Sequence, residues 1–256
     1  MSTATTTPSS DGPGPAGVPA TDARAQPQTR LLGHEDLDDA AAVLARSFMV
    51  EPGSRAMFPD PELRRRYLEL GGRIELDATL PYASVYGAEL DGQLAGIAVW
   101  HPPNVKPRPF GAIARSRREL LAQAPALARG TPHVLSMLPP HARAGLRLVR
   151  SRNRAAKQAS QGRAWYLAVL ATDPDFQGRG VARALLDHVL DRCDADGLAA
   201  WLETTDPVNP PLYEHFGFRS VLHVEDAGWL PGFWVLRREP DRQKSSHAAN
   251  APKSTL

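Results

Sequence analysis

The stretch from Trp165 to Asp194 decides most of what this chain can fold into. WYLAVLA (165–171) is an apolar run of strand length, and TDPDFQGRG follows it directly. From Gly178 the spacing predicts a helix to Asp194, with Val181, Leu185, Val189 and Cys193 on one face. A strand that feeds a glycine-bearing turn into a helix leaves the helix's first amides free, with the positive end of the macrodipole behind them. That arrangement suits phosphate oxygens. Gly178 and Gly180 let an anion approach the backbone, and Arg179 adds a positive charge beside it. The same two glycines also suit a plain tight turn. No GxGxxG and no GK[ST] occurs, so the dinucleotide and P-loop readings fail.

The neighbouring pattern predicts the rest of the architecture. A short strand at Thr29–Leu32 precedes a helix carrying Leu37, Ala41, Leu44 and Phe48 on one side. Asp60-Pro61-Glu62 starts a second helix, expected to reach Gly71 or Gly72, with a further helical piece up to Pro81. SVYGAEL-DG-QLAGIAVW reads as a β-hairpin with Asp91-Gly92 in a type I′ turn, ended by His101-Pro102-Pro103. Prolines break Phe110–Lys157 into three short helices. Beyond the glycine turn come a strand at Leu198–Thr204, a helix at Pro211–Phe216, and strands at Phe218–Val224 and Phe233–Arg237. The sum is an α/β domain built on one mixed sheet with helices on both faces.

Composition sets the limits of that domain. Of residues 1–28, 21 are Ser, Thr, Ala, Pro or Gly, and 239–256 is similarly poor in apolar residues, so both ends read as disordered tails around one domain at 29–238. Between Val105 and Arg163 there are 13 Lys or Arg against one acid, Glu119. This basic helical insertion is either a set of solvated helix faces or a surface for a polyanion or an acidic substrate. The single cysteine, Cys193, sits on the apolar helix face and excludes both an internal disulfide and a multi-cysteine zinc site. The eight histidines show no HxxxH or HExxH spacing, so no metal is expected. No run is long and apolar enough for a membrane helix, and no secretory signal is visible, which leaves the cytoplasm as the expected location.

Gln177-Gly178-Arg179-Gly180-Val181-Ala182 resembles, position for position, the pyrophosphate motif Gln/Arg-x-x-Gly-x-Gly/Ala of the GNAT acyl-CoA N-acyltransferases. Leu170-Ala171-Thr172-Asp173-Pro174 is similar to that family's strand-end stretch, with Thr172 in place of the usual valine. LETTDPVNPPLYEHFGF resembles the segment after its fifth strand, and the combination is most similar to the puromycin N-acetyltransferase-like branch. The likeness is strong over 165–219, looser over 30–100, and absent from the basic segment and both tails.

The resemblance implies a GNAT-like fold and acetyl-CoA as co-substrate, held in a cleft where the fourth and fifth strands splay apart. Leu170, Ala171 and Thr172 would hold the pantetheine arm and polarise the thioester carbonyl through main-chain groups. Gln177 to Ala182, with Arg183, would hold the pyrophosphate, and Asn209 would touch the cofactor arm. The acetyl group would pass directly to a primary amine of a small molecule, such as an antibiotic-like compound, or of a protein, with the small molecule the favoured acceptor. Tyr213 would protonate the leaving thiolate, although an aromatic there also suits simple packing like Phe216 and Phe218. Glu203 would accept the amine proton, although an acid at a strand end is also an ordinary exposed residue. His101 is either a cleft-facing group or an ordinary satisfied or exposed imidazole, and Trp165 and Trp201 read as packing residues. The competing function is a non-catalytic module that binds acyl-CoA, or nucleic acid or another anion through 105–163. The resemblance allows a homodimer through the last strands.

Overall fold

The computed structural model describes residues 25–81, 83–103, 158–159, 161, 163–225 and 232–241. Most of both expected tails and nearly all of the basic insertion fall outside the described residues. Gln28 is already in a strand, and the Asp241 amide donates to Asp194 at 2.8 Å.

Seven strands form one sheet in the order β1-β2-β3-β4-β5-β7-β6. They are β1 (Gln28–Leu31), β2 (Ser84–Leu90), β3 (Gln93–His101), β4 (Ala164–Thr172), β5 (Ala199–Thr204), β6 (Arg219–Val224) and β7 (Phe233–Arg238). Every neighbouring pair is antiparallel except β4 and β5. Asp91 and Gly92 take φ of 54° and 74°, the two positive values of the expected type I′ turn between β2 and β3.

Among the described residues the helices are α1 (Leu37–Phe48), α2 (Pro52–Met57), α3 (Pro61–Thr79), α4 (Val181–Asp196) and α5 (Asn209–His215). Helix α3 starts where the sequence predicts it, with the Asp60 carboxylate accepting from the Leu63 amide at 2.6 Å and Pro61 in the first turn. It does not stop at Gly71-Gly72. A Cβ on Gly72 would sit 3.0 Å from Leu44 Cδ2, so the glycine gives clearance for α1 rather than breaking α3. The sequence reading also passed over α2, whose Glu51 side chain caps Ser54 N at 2.6 Å ahead of Pro52.

Alternation along the strands splits the core into two layers. Helices α1 and α3 bury Val43, Leu44 and Leu76 against Val85, Ile97 and Val99 on one face. On the other face, α4 buries Val181, Leu185, Leu186 and Val189 against Trp100, Trp165, Leu167 and Leu202. Trp165 is therefore a packing residue, and Trp201, half-buried, stacks on Tyr166 at 4.2 Å between ring centroids.

Candidate functional site

The strands β4 and β5 part company at mid-length. Their parallel pairing runs from Ala164↔Ala199 to Leu167↔Leu202 and ends there. Beyond that point β4 stays on β3 as far as Thr172↔Gly96, and β5 stays on β7 as far as Thr204↔Trp234. The facing edges of 168–172 and 203–204 are thus left unpaired by each other, and a cleft opens between them. Its cause is local. The β3–β4 register shifts between Val99 and Trp100, which pair with Val169 and Leu167, so Ala168 is an extra residue on β4. A bulge of this kind bends and twists the strand that carries it.

At the mouth of the cleft the chain is held by Asp173. Its amide donates to Ala95 O at 2.9 Å, and its buried carboxylate accepts from Asp175 N at 3.1 Å and Arg46 Nε at 2.7 Å. After one 3-10 turn (Pro174–Phe176), Gln177 is extended and Gly178 and Gly180 take φ of 73° and 85°. Side chains rarely adopt that left-handed region, and nothing lies within 4 Å of where a Cβ on either glycine would stand. Gly180 is the N-cap of α4, and its carbonyl accepts the first helical bond from Ala184 N at 3.0 Å. The amides of Val181, Ala182 and Arg183 precede that bond and have no partner inside the helix. The turn is exposed. Positive dipole, free amides and open space coincide on an anion-binding geometry.

Gly96 fixes how close α4 comes. A Cβ there would fall 2.5 Å from Val181 Cγ1 and 2.9 Å from Ala171 O, so the first residue of α4 sits directly on the backbone of β3.

The candidate side chains distribute as follows. Leu170, Ala171 and Thr172 lie on the free edge of β4, with Ala171 buried and the other two half-buried. Arg179 bonds Asp91 Oδ2 at 2.7 Å, which ties the glycine turn to the β2–β3 hairpin and offsets part of its charge. Arg183 meets His215 at 2.9 Å between Nη2 and Nε2. Asn209 donates to Thr204 Oγ1 at 3.0 Å, bringing the start of α5 against the end of β5. Tyr213 belongs to the core layer under α4, edge-on to Phe218 at 5.9 Å. It is 6% exposed and its hydroxyl is not among the sealed polar atoms. Burial pushes the phenol well above its ordinary range, so it stays protonated. Glu203 is half-buried on β5 opposite Val235, and alternation puts it on the face opposite Leu202. Tyr213 and Glu203 thus belong to opposite faces of the sheet.

His101 differs from both sequence expectations. It is 8% exposed, its Nδ1 has no hydrogen-bond partner, and burial lowers its basicity. It stacks on Tyr166 at the start of β4, about 20 Å from Thr172 at roughly 3.3 Å per residue. Cys193 is buried, which pushes its thiol up to about 12. Three residues that periodicity does not reveal frame the cleft: Arg46, Glu51 and Thr205, whose hydroxyl donates to Glu51 at 2.7 Å. Only Glu51 had a local signal, the acid ahead of a proline. Among the described residues no group of three His, Cys, Asp or Glu gathers to hold a metal ion, and no helix is long and apolar enough to cross a membrane.

Residues 141–218, which contain β4, the glycine turn, α4, β5 and α5, match the model of the Acetyltransferase (GNAT) family. Over that stretch the chain is similar to the GNAT acetyltransferases. Among curated proteins, it is 33% identical over 95 residues to an uncharacterized N-acetyltransferase of Schizosaccharomyces pombe, covering 36% of this chain and 38% of that one. It is 42% identical over 55 residues to the ribosomal protein bS18-alanine N-acetyltransferase of Escherichia coli, covering 20% and 37%. The matched stretch therefore spans under two fifths of either relative's length. The fold extends further. A Corynebacterium glutamicum structure described as histone acetyltransferase HPA2 and related acetyltransferase superposes with a TM-score of 0.57 at 19% identity, over 84% of this chain and 97% of that one. The polyamine N-acetyltransferase of Drosophila melanogaster gives 0.52 at 14%, over 84% and 100%. The architecture is the GNAT fold.

Proposed function

We propose that this chain is a GNAT-family, acetyl-CoA-dependent N-acetyltransferase that moves an acetyl group directly to a primary amine of a small molecule, in a branch akin to the puromycin N-acetyltransferases. One observation carries the reading: the gap between β4 and β5 opens beside a glycine turn whose free amides suit a pyrophosphate. Bound acetyl-CoA would supply the activated acyl thioester. The main chain of Leu170–Thr172 offers a strand edge for an amide-bearing arm, and Gln177–Ala182 with Arg183 offers donors for the diphosphate. Asn209, already at the end of β5, borders the same gap.

The two faces of the sheet separate the proton transfers. Glu203, on the α1–α3 face, accepts the proton of the incoming ammonium directly or through water, which frees the nitrogen lone pair to form the N–C bond. Tyr213, under α4, keeps its proton through the neutral range and donates it to sulfur as the C–S bond breaks, while the extra proton left on the acylated nitrogen passes to water and solvent reprotonates Tyr213.

The test is CoA release from acetyl-CoA with a panel of primary amines, alongside calorimetric titration of acetyl-CoA. Micromolar binding and amine-dependent release are expected, and Tyr213→Phe should lower kcat about 10²-fold or more while leaving acetyl-CoA binding in place. Absence of acetyl-CoA binding would remove the proposal, and unchanged turnover in Tyr213→Phe would remove that residue from it.

A further inference from the structure

The corner between α2 and α3 holds a charge that no described residue balances. Arg64, in the first turns of α3, is 8% exposed, a burial that arginine rarely reaches unless paired. Its Nη1 donates to Phe58 O at 2.6 Å and Pro59 O at 3.3 Å, at the end of α2. Its Nε is sealed with no partner, and Nη2 donates to no described residue yet is not among the sealed atoms. The nearby acids are engaged elsewhere: Asp60 caps Leu63, and Glu62 pairs with Arg65 and Arg66. Two neutral carbonyls satisfy donors without neutralising the cation, and an uncompensated buried charge is costly.

This corner stands at the cleft. Gly72 against Leu44, and Arg73 paired with Asp38, set α3 antiparallel to α1. The start of α3 therefore lies by the end of α1, where Arg46 reaches Asp173 at the tip of β4. At the other end of α2, Glu51 is bonded to Thr205, one residue past β5. Beside Arg64, the rings of Phe58 and Tyr67 meet tilted by 34° with centroids 4.0 Å apart, Phe58 buried and Tyr67 38% exposed.

We propose that Arg64 recognises a carboxylate on the acceptor, so that the amine acetylated at the cleft belongs to an amino acid or a similar amino-carboxylate. The inference rests on the acetyl-transfer reading above. A single guanidinium beside one aromatic pair matches one negative charge, whereas a phosphate dianion would call for further donors. Capping the end of α2 uses only Nη1 and leaves Nη2 for a ligand.

The experiment compares the twenty common α-amino acids with their amides on the full chain, by thermal melting and by kcat/KM with acetyl-CoA. At least one free acid should raise the melting temperature, and should exceed its amide at least tenfold in kcat/KM. Arg64→Gln should bring that ratio to within about twofold of unity, and Arg64→Lys should keep part of it. If the Gln variant fails to fold, a threefold or greater fall in the Lys variant decides the matter. No acid favoured over its amide in the wild type, or a preference that survives these substitutions, overturns the inference. Failure of the wild type to bind acetyl-CoA would instead remove the acetyltransferase reading, and the melting comparison would still report on Arg64.

Discussion

Arg46 in the last turn of α1 and Asp173 at the end of β4 join the two faces of the cleft mouth, with Nε and Nη2 both on Oδ2 at 2.7 and 2.6 Å. The carboxylate is 6% exposed and the guanidinium 53%, so the two ends of the pair are not equivalent. Removing Arg46 leaves a buried anion, whereas removing the charge of Asp173 leaves an exposed cation. Arg46→Ala should therefore destabilise more than Asp173→Asn, the latter by about 1–3 kcal/mol for hydrogen bonds to a charged group. Because Asp173 also fixes Asp175 N, both substitutions should weaken acetyl-CoA binding about tenfold. Urea unfolding and calorimetry of the two variants check the order and the size.

Gly96 sets the standoff between α4 and the sheet. A methyl group there would press on Val181 Cγ1 at 2.5 Å and on Ala171 O at 2.9 Å, and the second contact is backbone that cannot rotate away. Gly96→Ala should cost about 1–3 kcal/mol, as overpacking does, and should lift the first turn of α4 off the cleft. Acetyl-CoA affinity should fall with it. Gly180→Ala provides the contrast: with nothing near the added carbon, its cost is the φ of 85°, about 1–2 kcal/mol. Equal affinity in wild type and Gly96→Ala would show that the standoff does not matter to binding.

Features set by local chemistry were legible in the sequence. The Asp91-Gly92 turn, the Asp60-Pro61 cap and the glycine turn before α4 each depend on a few adjacent residues. Gly71-Gly72 misled for a tertiary reason, since the close approach of Leu44 outweighs the low helix propensity of glycine. Arg46–Asp173 and Glu51–Thr205 join residues far apart in the chain, and no periodicity announces such pairs. The bulge at Ala168 was invisible too, because WYLAVLA alternates no differently around it. The glycine turn is a local motif and stands in the sequence, whereas the corner of α1, α2 and α3 is assembled from separate helices and does not.

Arg238 and Asp194 form a two-bond fork under α4, with Nη1–Oδ1 at 2.7 Å and Nη2–Oδ2 at 2.8 Å, and side-chain exposures of 11% and 1%. Arg238 Nε also donates to Phe216 O at 2.9 Å, so the pair binds β7 to the ends of both α4 and α5. Asp194→Ala would leave a nearly buried guanidinium uncompensated, and should cost about 3–5 kcal/mol. Replacing both, Asp194→Leu with Arg238→Met, should recover much of that loss, because the isolated charge is gone. A double variant as unstable as Asp194→Ala would mean that the bonds to Phe216 and Asp241, not the charge, hold this corner.

His101 gives the fold a pH dependence whose sign follows from its burial. Its folded-state basicity lies below the ordinary value of 6.5, so the unfolded chain binds its proton more readily. Stability from this residue is therefore complete above pH 6.5 and drains away as pH falls from there toward the lowered folded value. The limiting slope for one such group is about 1.4 kcal/mol per pH unit. The ring stacks on Tyr166 at 5.9 Å and its Nδ1 makes no bond, so His101→Phe keeps the stack and removes only the titration. Unfolding free energies at pH 7 and pH 5 should differ by less in His101→Phe than in the wild type, with the two proteins close to each other at pH 7.5. A larger acid sensitivity in the Phe variant would mean that the imidazole is charged in the fold and that a partner stabilises it.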